Sequence, residues 1–158
     1  MDFKREPFTR EVFEELLPLF QLHQLEVAPF KDIPLDPNVD QYVAMEDAGI
    51  IRLYTARDST GECVGYSLFT LLHHPHYRTS LQALQDIVFI RKDRRGFGGQ
   101  FMLWCDKMLE ADGCMASFIH VNVNHDFGPM LESIGYSLLE KSYVKRMGAS
   151  VLQAGRIG

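Results

Sequence analysis

Two rhythms of apolar and polar positions divide this chain. From Thr9 onward, Phe13, Leu16, Leu17 and Phe20 recur at three- and four-residue spacing. That is the pattern of an amphipathic helix, with Thr9 placed to cap it. Pro18 falls inside the pattern and predicts a kink or break. Asp36 is placed to cap a second helix with Pro37 at its first position, and Gly49 follows its end. Residues 2–6 read as a short opening strand closed by Pro7. From Ile50 the rhythm shortens. IIRLYTARD and CVGYSLFTLL, joined by the turn STGE, predict an antiparallel hairpin. HHPHYRTS reads as a polar loop and LQALQDIVFI as a third long strand. The basic turn RRGFGG leads into the helix QFMLWCDKMLEAD, which Gly113 stops. CMASFIHVNV then predicts a strand, NHDFGPMLESIG a short helix ended by Gly135, and YSLLEKSYVKRM a last strand. This order predicts an α/β fold of the α+β type, a mixed and mostly antiparallel sheet with helices on its faces. Residues 1–147 read as one domain without repeats, and 148–158 as a poorly ordered tail.

Composition narrows the function classes. A chain of 158 residues, 46% of them hydrophobic, is enough for one self-sufficient core. Sixteen Lys and Arg against 21 Asp and Glu give a net charge of −5. That argues against nucleic-acid and anionic-membrane partners, which need a cationic face. Cys63, Cys105 and Cys114 form no CxxC pair and read as buried thiols of a reducing compartment. No apolar run approaches the ~20 residues that span a bilayer, and MDFKREPF lacks a signal-like apolar stretch. The expectation is a cytoplasmic protein.

One segment concentrates chemistry. In DIVFIRKDRRGFGGQFMLW a strand runs through a basic, glycine-rich turn into a helix. Gly96, Gly98 and Gly99 let the backbone turn sharply and present its N–H groups. The helix start adds unpaired donors and the positive end of its dipole. With Arg91, Lys92, Arg94 and Arg95 around it, the turn reads either as a cradle for a phosphate or diphosphate or as a solvated basic loop. A P-loop would need Lys-Ser or Lys-Thr where Gln100-Phe101 stand, and a dinucleotide fingerprint would need glycine at Phe101. Both fail on spacing.

At these residues the chain resembles the GNAT superfamily of acyl-CoA-dependent N-acyltransferases, whose diphosphate loop reads Q/R-x-x-G-x-G/A. Arg95-Gly96-Phe97-Gly98-Gly99-Gln100 supplies the Arg and the first motif glycine, but places Gln100 where Gly or Ala is usual. DIPLDP, AGIIRLYTARD…VGY, HYRTSLQALQDIVFI and NHDFGPMLESIGY extend the likeness to a bacterial and phage-type subgroup. The resemblance implies a splayed cleft between the fourth and fifth strands with acetyl-CoA as acyl donor. Val88, Phe89 and Ile90 would pair with its pantetheine arm, and the N–H groups of Arg95, Gly96, Phe97, Gly98, Gly99 and Gln100 would hold its diphosphate. It implies an N-acetyltransferase acting by direct attack of an amine on the thioester. The alternative on the same fold is a CoA-binding module without catalysis.

Asp86, entering the apolar run IVFI, is the candidate general base, its basicity raised if the strand buries it. The structural reading is a strand-end Asp in a hydrogen-bond network. Gln85 points to the opposite sheet face. The family's helix tyrosine has no counterpart, because Leu131 stands in its place. Tyr143 on the last strand is the substitute acid or a packing residue. Asn122 is a candidate for the cofactor arm, with Asn124 beside it, or a turn residue. His73, His74 and His76 lack a convincing metal-ligand set, so no metal is expected. His120 reads as a half-buried strand residue. Asp32, Asp36, Asp40, Glu46 and Asp47 would form an acidic rim that attracts an amine, on a small molecule or a protein. The exposed last strand leaves a homodimer open.

Overall fold

The computed structural model describes residues 1–147; the tail over 148–158 lies outside the described residues. Strand β1 (Asp2–Glu6) is followed by helices α1 (Arg10–Val27) and α2 (Val39–Asp47). Then come β2 (Ile51–Arg57), β3 (Cys63–His74), β4 (Tyr77–Ile90), α3 (Gly98–Ala111), β5 (Ala116–Phe118) and α4 (Gly128–Ser133). The five strands lie in sequence order in one sheet. All neighbours are antiparallel except β4 and β5, which are parallel.

Each sheet face carries its own apolar layer. On one, Leu16, Leu19 and Phe20 of α1 pack on Leu53, Tyr66, Leu68 and Phe89, with Tyr42 and Val43 of α2 at the margin. On the other, Phe101, Met102, Cys105 and Leu109 of α3 and Leu131 of α4 cover Tyr54, Phe69 and Ala83. Thr9 caps α1 as its position predicts, accepting from the Val12 N–H at 3.2 Å. Helix α1 nevertheless runs through Pro18. Pro18 is exposed, so water reaches the carbonyl left without its usual partner, while the buried Leu16, Leu19 and Phe20 hold both halves in line.

Four other expectations need correction. Asn38, not Asp36, caps α2, its side chain accepting from the Gln41 N–H at 3.1 Å. HHPHYRTS is no loop: β3 and β4 run on to His74 and Tyr77 around a two-residue turn. Only Ala116–Phe118 of the predicted fifth strand pairs. Residues 136–147 form no strand. A strand exists by pairing, and three residues of β5 offer too short an edge for this segment, so Leu138 and Leu139 stay exposed.

Candidate active site

The site grows from an unfinished pairing. β4 pairs with β3 as far as Ile90, but with β5 only as far as Leu84, opposite Phe118. Residues 85–90 therefore keep one backbone edge without a strand partner. A bulge contributes to the divergence: Ile87 faces Leu68 and Gln85 faces Phe69, leaving Asp86 as the extra residue. The bulge also shifts the alternation of side chains. Ala83 packs on the α3 face, and so do Val88 and Ile90, while Ile87 and Phe89 pack toward α1. Val88, Phe89 and Ile90 thus meet the cleft through their backbone. Gly65 of β3 brings this end of the sheet close together, since a Cβ there would lie 3.0 Å from the Phe89 carbonyl oxygen and 3.1 Å from Ile90 Cγ1.

At the mouth of the cleft the chain turns into α3. Gly96 has φ +130°, a conformation side-chain-bearing residues rarely adopt. Phe97 occupies the N-cap position and caps nothing with its side chain, and no acidic residue stands in the first turn. The first N–H to find a backbone partner is that of Phe101, bonded to the Phe97 carbonyl at 3.0 Å. The six amides from Arg95 to Gln100 have no hydrogen-bond partner among the described residues. A Cβ on Gly98 would lie 3.5 Å from Ile90 and one on Gly99 3.5 Å from Met130, ordinary van der Waals contact, so packing does not by itself demand glycine at either position.

The basic side chains are less free than their number suggests. Arg91 bonds Glu62 and Asp93, Arg94 bonds Asp58, and Arg95 bonds Glu26 at 2.5 Å. Arg95 also donates through Nε to the Ile90 carbonyl. Lys92 has no ion pair among the described residues. Beside it, a cavity of about 400 Å³ opens between Leu22 and Glu26 of α1 and Phe89, Arg91 and Asp93. The last turn of α1 reaches across the cleft: the Glu26 carbonyl accepts from His125 Nε2 at 3.0 Å, and the Val27 carbonyl from Asn122 Nδ2 at 3.1 Å. Asn122 also accepts from the Asn124 N–H, so both ends of its amide are engaged structurally.

Asp86 is exposed, so the burial expected to raise its basicity is missing. Its partner is Tyr42 of α2, whose hydroxyl donates to Asp86 Oδ2 at 2.8 Å. Burial and the neighbouring carboxylate push the Tyr42 hydroxyl well above the ordinary tyrosine range, so it stays a donor. Tyr143 is 93% exposed. It lines a separate cavity of about 1260 Å³ bordered by α3, β5, α4 and residues 137–143, which includes no residue of β4. The structure therefore does not bring Tyr143 together with Asp86. Leu131 is buried in the α4 contact.

Sequence reasoning missed three residues. Tyr42 carries no local signal. Gln85 is 6% exposed, and its Oε1 accepts from the His120 N–H at 2.8 Å. His23 of α1 stacks on Phe89, with ring centroids 5.0 Å apart, and shares a 3.0 Å hydrogen bond with the Tyr66 hydroxyl. Burial lowers its pKa below the usual histidine value, against the pull of Glu26. The expected acidic rim is largely neutralised: Asp32 is held by Arg146, Asp40 by Arg10 and Glu46 by Arg5. Asp36 and Asp47 have no ion pair among the described residues. In the histidine turn, His74 Nδ1 accepts from the His76 N–H, and no cluster placed to hold a metal ion occurs among the described residues.

The architecture as a whole is also found in known structures. A ribosomal-protein-alanine N-acetyltransferase from Brucella melitensis superposes with a TM-score of 0.68 at 18% identity, covering 92% of this chain and 99% of that one. The chain has the GNAT fold. An acetyltransferase of Trypanosoma brucei matches at TM-score 0.69 and 14% identity, over 92% of this chain and all of that one. An aminoglycoside acetyltransferase from a soil metagenome, in complex with sisomicin, matches at 0.68 and 13% identity, over 92% and 96%. No family profile and no curated protein sequence matches the chain. The open edge of β4 and the six free amides lie on the fourth strand and at the start of the third helix of this fold.

Proposed function

We propose that the protein is an acetyl-CoA-dependent N-acetyltransferase whose acceptor is a primary amine on a small molecule or a protein. The observation that carries this reading is the conjunction of the unpaired β4 edge with six unbonded amides at its end. An extended amide-bearing chain fits the first as an added strand, and a diphosphate fits the second. The coenzyme supplies the activated acyl thioester. Backbone groups of Val88, Phe89 and Ile90 align the pantetheine arm, and the N–H groups of residues 95–100 receive the diphosphate.

On the α1–α2 side, Asp86 is the base. The neutral amine nitrogen bonds to the acyl carbon, the carbon–sulfur bond breaks, and the amine proton passes to Asp86 directly or through one water. Tyr42 holds the carboxylate in place and leaves its second oxygen free. The departing thiolate takes a proton from water at the open cleft. A backbone N–H of β4 near Val88 or Phe89 serves the developing oxyanion.

Calorimetric titration with acetyl-CoA tests binding, and thiol release across a panel of primary amines tests turnover. Asp86→Asn should lower thiol release about 10²-fold or more while leaving coenzyme affinity unchanged. No binding at millimolar coenzyme would overturn the assignment. Binding without turnover on any amine would favour a regulatory module instead.

A further inference from the structure

Among the few polar side chains buried in the described residues, Gln85 stands directly after the last paired residue of β4 and β5. The parallel ladder pairs Gln82, Ala83 and Leu84 with Ala116, Ser117 and Phe118. Continued, that register would set Ile119 opposite Gln85 and His120 opposite Asp86. The side-chain carbonyl of Gln85 accepts the His120 N–H. The two strands are thereby still joined, through a side chain, just past the last paired residues. The Asp86 bulge directly follows on β4, and β4 has no strand partner on this side from there to Ile90.

We propose that Gln85 is the strut that sets the width of the cleft vertex, and so the depth at which the acyl group seats; this rests on the acyl-CoA reading above. Without an acceptor at this position, the His120 N–H loses its partner. The strands then either close to restore a backbone rung or part further as water enters. Both change the register between the β4 edge and the far wall of the cleft. Gln85 acts through the strands and is a positioning residue.

Gln85→Leu removes the acceptor at similar volume, and Gln85→Glu keeps an acceptor oxygen. In Gln85→Leu, amide hydrogen exchange at His120 should accelerate at least tenfold, and calorimetry should show acetyl-CoA binding about tenfold weaker. In Gln85→Glu both should remain within a few-fold of wild type. Thermal unfolding of each variant separates this from general destabilisation. Unchanged His120 protection in Gln85→Leu would overturn the strut, and so would lost protection with unchanged acetyl-CoA affinity. If the wild-type protein bound no acetyl-CoA, the coenzyme reading would fall. The exchange measurement at His120 would still decide whether Gln85 joins the strands.

Discussion

Arg95 lies beside the free amides of the α3 start, yet its guanidinium is bonded to Glu26 of α1 at 2.5 Å. A diphosphate bound on those amides would compete for Arg95 and would meet a carboxylate in the process. Glu26→Gln is therefore expected to tighten coenzyme A binding. The two side chains are 25% and 45% exposed, which puts their pair in the surface class worth about 0.2–1 kcal/mol. At about 1.4 kcal/mol per tenfold, release of Arg95 alone would improve affinity by up to about fivefold. Removing a like charge beside the diphosphate acts in the same direction. Both effects are screened by salt, whose Debye length is about 8 Å at 0.15 M, so the gain should shrink at higher ionic strength. The substitution leaves the Glu26 carbonyl and its His125 bond in place. Calorimetry on wild type, Glu26→Gln, Arg95→Ala and the double variant forms a thermodynamic cycle. The part of the gain that comes from releasing Arg95 should vanish in the Arg95→Ala background, leaving only the part due to the removed like charge. Unchanged or weaker binding in Glu26→Gln, or an equal gain without Arg95, would refute the competition.

Gly65→Ala should destabilise the protein by about 1–3 kcal/mol in chemical denaturation, because its methyl group would press on the Phe89 carbonyl and Ile90. It should also weaken coenzyme binding, since those residues edge the cleft. Acid should cost stability through Glu6: burial works to raise its pKa, but Arg57 and Thr55 hydrogen-bond the carboxylate and hold it below the ordinary glutamate value. That contribution is complete above the unfolded pKa and disappears as pH falls through the lower folded one. Denaturation at pH 7 and at decreasing pH below about 4.5 should show the loss in wild type and a flatter profile in Glu6→Gln.

The parts of the site legible in the sequence were those decided locally. The freedom of the amides from Arg95 to Gln100 follows from a glycine turn entering a helix, whatever the rest of the chain does. The helix start at Thr9 and the stops at Gly49, Gly113 and Gly135 are local in the same sense, and the structure places them there. The start of α2 was misplaced, since the side chain of Asn38 and not that of Asp36 accepts the Gln41 N–H and caps it. What distant partners decide was not legible. The cations around the turn read alone as either a cradle or a solvated loop, in both cases free, but Glu62, Asp58 and Glu26 lie 29, 36 and 69 positions away from the arginines they hold. The predicted last strand failed for a related reason, since its partner β5 ends after three residues. Gln85 was hidden because its role depends on where β5 leaves β4. This difference bears on the chemistry. An anion held by guanidinium groups would have to break three sets of existing ion pairs, whereas one held by the backbone amides breaks none. The diphosphate contact is thus expected to rest chiefly on N–H donors, with Arg95 as a competitor that Glu26 keeps partly occupied.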